Sequence, residues 1–467
     1  MKLYNTLSHT VEEFVPFEAD KVNMYTCGPT VYHYAHIGNL RTYICEDILE
    51  KTLRYVGYDV TRAMNITDVG HLSSDSDSGT DKMVDSAKKE NKTVLDIAAF
   101  YTDAFFDDLE TLNIKKPEII SPATQNIDMY ITMIEKLLDD GYAYKSGDNV
   151  YFDISKVDDY YKLTNHKIDE MVVGVRDGVE EDSNKRNQGD FALWFTKSKF
   201  EDQELKWDSP FGIGYPGWHI ECSGISIKNL GENLDIHCGG VDNIFPHHTN
   251  EIAQSESYLG HKWCNYWVHV EHLNLKDDKM SKSSGNIIRV NTLVEKGYNP
   301  LAYRYMVINS HYRKILEFTY DVLDQNQKAY DKLINKIAQI EEDGNIQEAA
   351  FNDYKEKFSN ALSDDLNTAN AITVLYDVIK DDSINGKTKR EIIRDFDKVL
   401  SLNLVTEKVD MVHPQDEEIK DLIEKRAEYK KNHMFQEADG IRDELKAKGI
   451  ELIDTREGTT YKIIGLE

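Results

Sequence analysis

The sequence predicts an α/β fold: a parallel-sheet domain with an insertion, followed by helices and a small C-terminal piece. Three observations carry that expectation. A short apolar strand, a helix and a second strand follow one another over residues 23–65, the rhythm of a parallel sheet whose ligands collect at strand ends. Apolar residues then recur at helical spacing from residue 299 to about residue 378. The 467 residues give room for roughly three domains at about 150 residues each.

Composition narrows the class. Hydrophobic residues make up 40% of the chain, enough for sizeable cores, and charged residues 30%. Residues 1–20 hold no apolar run long enough for a signal peptide, and no stretch approaches a membrane-spanning length, so the expected location is cytoplasmic. Five cysteines, odd in number and widely spaced, argue against a disulfide framework; metal binding, catalysis or burial remain. The formal net charge of −28 suits solubility and is awkward for a nucleic-acid partner, which needs local basic groups.

The elements follow in order. Residues 23–26 read as a buried strand that Cys27-Gly28-Pro29-Thr30 breaks. A helix is expected from His36 to Tyr55, closed by Gly57, and a strand over 60–65. A helix over 93–112 ends at the Lys116-Pro117 break. From there to about residue 205 the pattern changes to a helix over 127–140, a turn at Asp140-Gly141, strands over 142–144 and 150–153, and acidic sequence with little periodicity. That segment reads as an insertion. The sheet is expected to resume near Gly217-Trp218-His219 and again over 234–237. Helices are expected from Asn299-Pro300 to Ile308, over 321–340 and over 352–378. A polar linker over 410–416 leads to charged helices over 418–431 and 436–448 and a strand-like end.

Two short motifs point to a nucleotide. No Gly-rich phosphate loop with its Lys occurs, so phosphate must be held another way. His36-Ile37-Gly38-Asn39 offers one: if it opens a helix, free N–H groups and the helix dipole attract phosphate, Gly38 permits close approach, and His36 and Asn39 can donate hydrogen bonds to a charge building on phosphorus. Lys279-Met280-Ser281-Lys282-Ser283 offers the second. Two ammonium groups among small residues can close over a triphosphate, or form a solvated surface turn; alone, the segment favours neither. Gly239 and Gly240 after a predicted strand would let backbone approach a ligand, and Asp242 could take ribose hydroxyls.

Four further residues form a donor set. His247 and Glu251 are four apart, with Pro246 suited to a first helical turn, so they share one helix face. Cys27 ends the first strand, and Cys222 follows Gly217 to Glu221. Two thiols, an imidazole and a carboxylate are compatible with Zn²⁺. Without local Cys-x-x-Cys spacing, buried structural cysteines are the commoner case. Trp218 is open to a pocket or a core role.

Longer runs then carry a resemblance. Cys27-Gly28-Pro29-Thr30-Val31-Tyr32, the His36–Asn39 signature, Asn65-Ile66-Thr67-Asp68, Pro216 to Cys222, Phe245 to Ser255 and the Lys279–Ser283 loop together resemble the cysteinyl-tRNA synthetases, a class I aminoacyl-tRNA synthetase family, over essentially the whole chain. The resemblance implies a Rossmann-like catalytic domain over 1–115 and 206–255, a connective insertion over 116–205, a region over 256–320 that carries the lysine loop and meets the tRNA stem, an all-helical bundle over 321–409, and a small C-terminal anticodon-binding domain over 410–467. It implies an enzyme that activates L-cysteine with ATP and Mg²⁺ and passes it to the 3′ end of tRNA(Cys), acting as a monomer.

Site roles come over position by position. The resemblance implies one Zn²⁺ on Cys27, Cys222, His247 and Glu251, binding the substrate thiol. It implies a cysteine pocket at Gly28, Thr30, Thr67 and Trp218. ATP contacts fall on His36, Gly38, Asn39, Gly239, Gly240, Asp242, Lys279 and Lys282, with His36, Asn39, Lys279 and Lys282 catalytic. His237 and His248 stand as supporting or nucleotide contacts; Cys45, Cys238 and Cys264 have no implied role. Residues 417–449 balance eight Lys/Arg against nine Asp/Glu, a local relief of the overall acidity that suits phosphate contact and equally an ordinary charged hairpin. Lys430, Lys431, Asp439 and Arg442 are the expected tRNA contacts. The chain departs from the family pattern at Asn39, usually His, at His33, at Thr249 in place of a usual Glu, and over Asn187 to Asp190. Two other readings stand beside this one: a cysteine ligase of thiol-cofactor biosynthesis, and a silent paralogue that only binds tRNA or senses cysteine.

Overall fold

The computed structural model describes residues 1–69, 72–74, 78–81, 93–164, 184–196, 204–275, 287–405, 416–431, 434–447, 450–455 and 458–463. Its centre is a five-stranded, all-parallel sheet. Strand β1 (Lys21–Thr26) leads through helix α1 (Ile37–Tyr55) to β2 (Asp59–Ile66), and β3 (Ile119–Pro122) lies beyond it. Helix α2 (Trp218–Leu230), β4 (Leu234–Gly240), helix α3 (Thr249–Leu259) and β5 (Cys264–Val270) complete the layer. The strand order is β5-β4-β1-β2-β3. From β1 the chain first builds outward through β2, then returns to place β4 on the opposite side. The switch point therefore lies between β1 and β4, where such sheets bind ligands at their carboxyl ends.

Both sheet faces are covered, as parallel strands require. Val22, Met24, Ile236, Cys238 and Val268 pack with α1 and the C-terminal helices in one core. Tyr25, Ala63 and Trp267 point the other way, into a core shared with α2 and helix Ile127–Asp139. Alternation along β1 thus assigns Met24 and Tyr25 to opposite layers. The insertion forms a four-stranded sheet in the order Tyr215–Pro216, Phe191–Phe195, Asn149–Phe152 and Ala143–Ser146.

Three sequence expectations are corrected. The segment beginning at Trp218 is helix α2, not a strand; ten of its thirteen residues are buried, so it lacks the polar stripe that marks an amphipathic helix. The parallel sheet also reaches past the expected boundaries at 115 and 255. β3 pairs with β2, and β5 with β4. Pro122 is tolerated because β3 is an edge strand. The single helical stretch expected over 352–378 is two helices, Glu348–Ser363 and Thr368–Lys380, separated at Asp365 and Leu366, which both have positive φ.

Helix α1 is held to its surroundings by polar bonds. Asp47 on its buried side lies 2.6 Å from Arg304 and 2.7 Å from Lys51. Arg304, wholly buried in helix Pro300–Ile308, also donates to the carbonyls of Leu400 (2.8 Å) and Leu112 (3.0 Å). At the other end of α1, Arg41 donates to the carbonyls of His272 and Lys314, and the Tyr303 hydroxyl to that of Ile37 at 2.6 Å.

Residues Thr406–Glu467 form a separate compact unit. Helices Asp416–Lys431 and Phe435–Ala447 pack around Ile441 and Leu445, and strands Ile450–Thr455 and Gly458–Ile463 pair as an antiparallel hairpin. Among the described residues, no helix is long and apolar enough to cross a membrane.

Two outcomes follow from the buried charges. Arg304→Met leaves the buried Asp47 with Lys51 as its one charged partner among the described residues and removes the donor from the Leu400 and Leu112 carbonyls, so it should lower unfolding free energy by about 3 kcal/mol in denaturant titrations. Glu46 on α1 is buried with neither carboxylate oxygen hydrogen-bonded. Burial pushes its carboxyl up to about 8, against the opposing pull of Arg62. The folded chain then keeps a proton that the unfolded chain loses above about pH 4.5, so Glu46 erodes stability as pH rises through that window. The stability difference between Glu46→Gln and the wild type should grow by roughly 3–4 kcal/mol in favour of the variant between about pH 5 and about pH 8.5. A difference that stays flat across that range would show Glu46 to be ionised or solvated.

Candidate active site and metal centre

A cavity of about 610 Å³ opens at the switch point. Its lining includes Cys27, Gly28 and Thr30 after β1, His36, Gly38 and Asn39 at the start of α1, Trp218 at the start of α2, Gly239, Gly240 and Asp242 after β4, and His247. One chamber therefore gathers residues expected to meet the amino acid, the nucleotide and a metal.

The start of α1 is locally determined. His36 is the N-cap, with extended backbone (φ −102°, ψ 165°). The Asn39 N–H donates to His36 Nδ1 at 3.1 Å, and the His36 N–H donates to Asn39 Oδ1 at 3.3 Å. This reciprocal cap fixes the neutral His36 tautomer: Nδ1 accepts, so the proton sits on Nε2. Asn39 thus has a structural duty in addition to any contact with phosphate.

Gly28 is demanded by close packing. Its N–H donates to Asn65 Oδ1 at 2.7 Å, and an added Cβ would lie 1.7 Å from the Asn65 carbonyl oxygen. Asn65 continues to the Thr67 hydroxyl (2.9 Å), which donates to Glu221 at 3.0 Å. Thr67 is buried in this chain and is not part of the cavity lining. Trp218 is half-buried, faces the cavity and stacks on the His247 ring at 4.4 Å. Gly239 and Gly240 make room for protein as well as ligand: a Cβ on Gly239 would meet the His248 ring at 2.8 Å, and one on Gly240 the Asp242 carboxylate at 2.4 Å. Asp242 is exposed on the turn Val241–Asn243.

Beneath the cavity four donors converge. Ligand atoms of Cys27, Cys222, His247 and Glu251 all lie within 4.8 Å of one another. The two sulfurs are 3.9 Å apart, and His247 Nε2 is 3.0 Å from Glu251 Oε1, although that oxygen accepts no hydrogen bond. His247 does not sit in a regular helix with Glu251 as expected. Phe245–Pro246 is a cis peptide, residues Ile244–His248 form a wide irregular turn, and α3 begins only at Thr249. The turn nevertheless brings the two side chains together.

Four further buried histidines, His219, His237, His248 and His269, surround this centre, and only His237 and His248 were singled out in the sequence. His219 Nδ1 is 3.0 Å from His247 Nδ1, and His237 Nε2 is 2.9 Å from Glu251 Oε2. His248 bridges Cys27 Sγ (3.3 Å) and His269 (2.8 Å), which in turn reaches the Thr6 hydroxyl at 2.8 Å. Burial lowers His237 and His269 to about 3 and depresses His248 as well, so these rings are neutral. Cys27, His237, His248 and Glu251 make a second possible donor set. His237 and His248 do not line the cavity, so an ion held there would be set back from a substrate. Hydrogen bonding to Cys222 and then burial raise the Cys27 thiol, burial raises Cys222, and burial pushes Glu251 up to about 8.

Other sequence-named residues lie elsewhere. Lys279 and Lys282 fall outside the described residues. In the C-terminal unit Lys430 is exposed, and Arg442 pairs with Asp439 at 3.1 Å, so two expected tRNA contacts already bind each other. The Lys431 side chain is also outside what is described. Cys45, Cys238 and Cys264 are buried and unbridged.

Known proteins match this chain in family and in fold. The family described as tRNA synthetases class I (C) catalytic domain matches residues 13–328, and the DALR domain matches residues 357–402. The fold is shared with a Mycobacterium tuberculosis methionyl-tRNA synthetase solved with methionyl-adenylate, at a TM-score of 0.55 and 14% identity over 82% of this chain and 90% of that one. Fold and family match together define a class I aminoacyl-tRNA synthetase. Cysteine–tRNA ligases of Treponema denticola (45% identical), Borreliella burgdorferi (42%) and Treponema pallidum (38%) each match over 99% of both chains. The chain belongs to the cysteine–tRNA ligase family. Neither a thiol-cofactor ligase nor a silent paralogue finds support in these matches.

Gly28→Ala tests the cavity wall. The clash with backbone leaves no flexible neighbour to yield, so the variant should lose about 3 kcal/mol of stability, read from denaturant unfolding. An unchanged unfolding midpoint would mean that β1 and β2 separate there easily.

Proposed function

We propose that this protein joins L-cysteine to tRNA(Cys) in two steps at the switch-point cavity, with Zn²⁺ on Cys27, Cys222, His247 and Glu251. The observation that carries this reading is the convergence of those four donors directly beneath a chamber lined by His36–Asn39 and Gly239–Asp242.

The donor set fits zinc. Arms of about 2.3 Å at tetrahedral angles place two sulfurs about 3.8 Å apart, close to the 3.9 Å between Cys27 and Cys222. The Glu251 oxygen nearest His247 is buried without a hydrogen bond, as a ligand atom should be. Without a cation, burial keeps both thiols and Glu251 protonated; a dication reverses that preference and releases their protons. When bound, zinc supplies a soft Lewis acid that holds the substrate sulfur as thiolate, which a serine hydroxyl with its far higher pKa cannot imitate.

The remaining work belongs to the chain. Gly28 and Thr30 form one wall of the amino-acid pocket, and Trp218 closes over a small side chain. The first N–H groups of α1 attract the ATP phosphates. The capped His36 presents Nε2–H as a donor toward the α-phosphate, where charge grows as the cysteine carboxylate attacks and pyrophosphate leaves. Asp242, at the end of β4, takes the ribose hydroxyls. Lys279 and Lys282 accompany the departing pyrophosphate, and Mg²⁺ rides on the triphosphate. The tRNA terminal ribose hydroxyl then attacks the cysteinyl adenylate. No side chain becomes covalently attached; rate comes from positioning and charge stabilisation. The unit after residue 405 contacts the anticodon region, with Lys430, Lys431, Asp439 and Arg442 as first candidates.

Cysteine-dependent exchange of labelled pyrophosphate into ATP tests the proposal. Metal-loaded protein should support exchange with cysteine and give none measurable with serine. Cys222→Ser should lose bound zinc and cysteine-dependent exchange together, each by at least about tenfold. Full exchange in a zinc-free variant would remove the metal from substrate selection.

A further inference from the structure

Tyr25 is the penultimate residue of β1, two positions before Cys27, and is completely buried. Its ring packs edge-on against His237 at 5.1 Å. Strand alternation turns it into the layer that α2 occupies, where Cys222 lies. The hydroxyl has no hydrogen-bond partner of ordinary geometry among the described residues. Tyr25 and Cys222 share one buried cluster, with the hydroxyl within interaction range of the Cys222 sulfur.

A buried hydroxyl without an acceptor is destabilising. A neutral thiol is a weak acceptor. A thiolate is a strong one, because hydrogen bonds to ionised groups are roughly twice as strong as neutral ones. The hydroxyl is therefore poorly satisfied while Cys222 keeps its proton and well satisfied once that proton is gone. No other part of the proposed mechanism uses Tyr25.

We propose that Tyr25 is a positioning residue of the metal centre, donating its hydroxyl hydrogen bond to the Cys222 sulfur when that sulfur is a metal-bound thiolate. The inference rests on the zinc reading above. The phenol stays protonated throughout; only the strength of its acceptor changes. The bond couples metal loading to relief of a buried orphan. It also withdraws charge from Cys222, which leaves the bound cation more electrophilic toward an incoming substrate sulfur. Groups that orient and tune metal ligands in this way commonly alter metal affinity by 10–100-fold.

Tyr25→Phe removes the hydroxyl and keeps the ring. Zinc affinity, measured by competition with a chromophoric chelator, should fall about tenfold. In protein loaded with Co²⁺ alone, the thiolate-to-cobalt charge-transfer band should move to lower energy, since an unbonded thiolate gives up charge more easily. The metal-free variant should unfold at a midpoint equal to or above that of metal-free wild type, because it has lost only an unsatisfied group. Equal zinc affinity and an unmoved cobalt band in a folded variant would overturn the role of Tyr25 and leave the zinc site standing. A lower metal-free midpoint would also overturn it, by showing the hydroxyl to be satisfied without the metal. Wild-type protein that binds neither ion would overturn both readings. As a second measure, Tyr25→Phe should change zinc affinity far less in a Cys222→Ala background than in the wild type; an undiminished effect there would assign the hydroxyl to another acceptor.

Discussion

Parallel pairing of β1 between β2 and β4 is the constraint on which the site depends. It brings three strand ends to one edge of the sheet. Cys27 leaves β1 with its N–H bonded to the Cys238 carbonyl of β4 at 3.3 Å. On the other flank, Gly28 is bonded to Asn65 of β2, and the Thr67 N–H reaches the Pro29 carbonyl at 3.1 Å. Crossover connections then return over the sheet, so α2 delivers Cys222 and the turn before α3 delivers His247. Donors scattered over residues 27–251 become neighbours because the topology leaves them one place to meet.

That edge is unusual for a protein interior. Thiols, imidazoles and carboxylates lie buried together with few ordinary acceptors, an arrangement that polar burial normally disfavours. Neutral histidines soften the conflict. His237 Nε2 lies 2.9 Å from Glu251, and His248 Nδ1 2.8 Å from His269 Nε2, so each ring meets a polar neighbour without adding positive charge. A charged ring at any of these points would compete with a cation for the same ligands. The low pKa values of His237 and His269 and the raised Glu251 and Cys222 are two consequences of one chief cause, the exclusion of water.

The sequence was readable where local chemistry decides structure. The His36–Asn39 cap is closed by its own side chains, so its helix start could be seen in four residues. The strand end before Cys27 showed in the break after a short apolar run, whereas a ligand role for Cys27 came only from the family resemblance. Where long-range burial decides, the pattern failed. Helix α2 is enclosed on nearly all sides, so Ser223, Ser226 and Cys222 sit as deep as Ile220 and Ile225, and no periodic stripe remains to reveal it. β3 has only four residues and ends in Pro122, so its place in the sheet rests on pairing with β2. His269 and Tyr25 look like ordinary strand residues; only the sheet shows that both point toward the donor cluster.

On the proposed zinc reading, the same enclosure would let cysteine be told from serine at the binding step. Cysteine and serine differ too little in shape for packing alone to separate them strongly. A metal-loaded donor cluster at the floor of the chamber would convert the difference into one of acidity and softness, which is large. The chamber must then do the opposite of a catalytic metal site and keep water from occupying the position intended for sulfur. Trp218 over His247 serves that end: its ring covers the imidazole from the cavity side, while Glu251 and Cys222 lie below, beyond solvent. On the proposed reading, selectivity rests with buried ligands and access with a half-buried indole. His36, Gly38 and Asn39 at the start of α1 line the same cavity, so the proposed phosphate contacts and the donor cluster share one chamber.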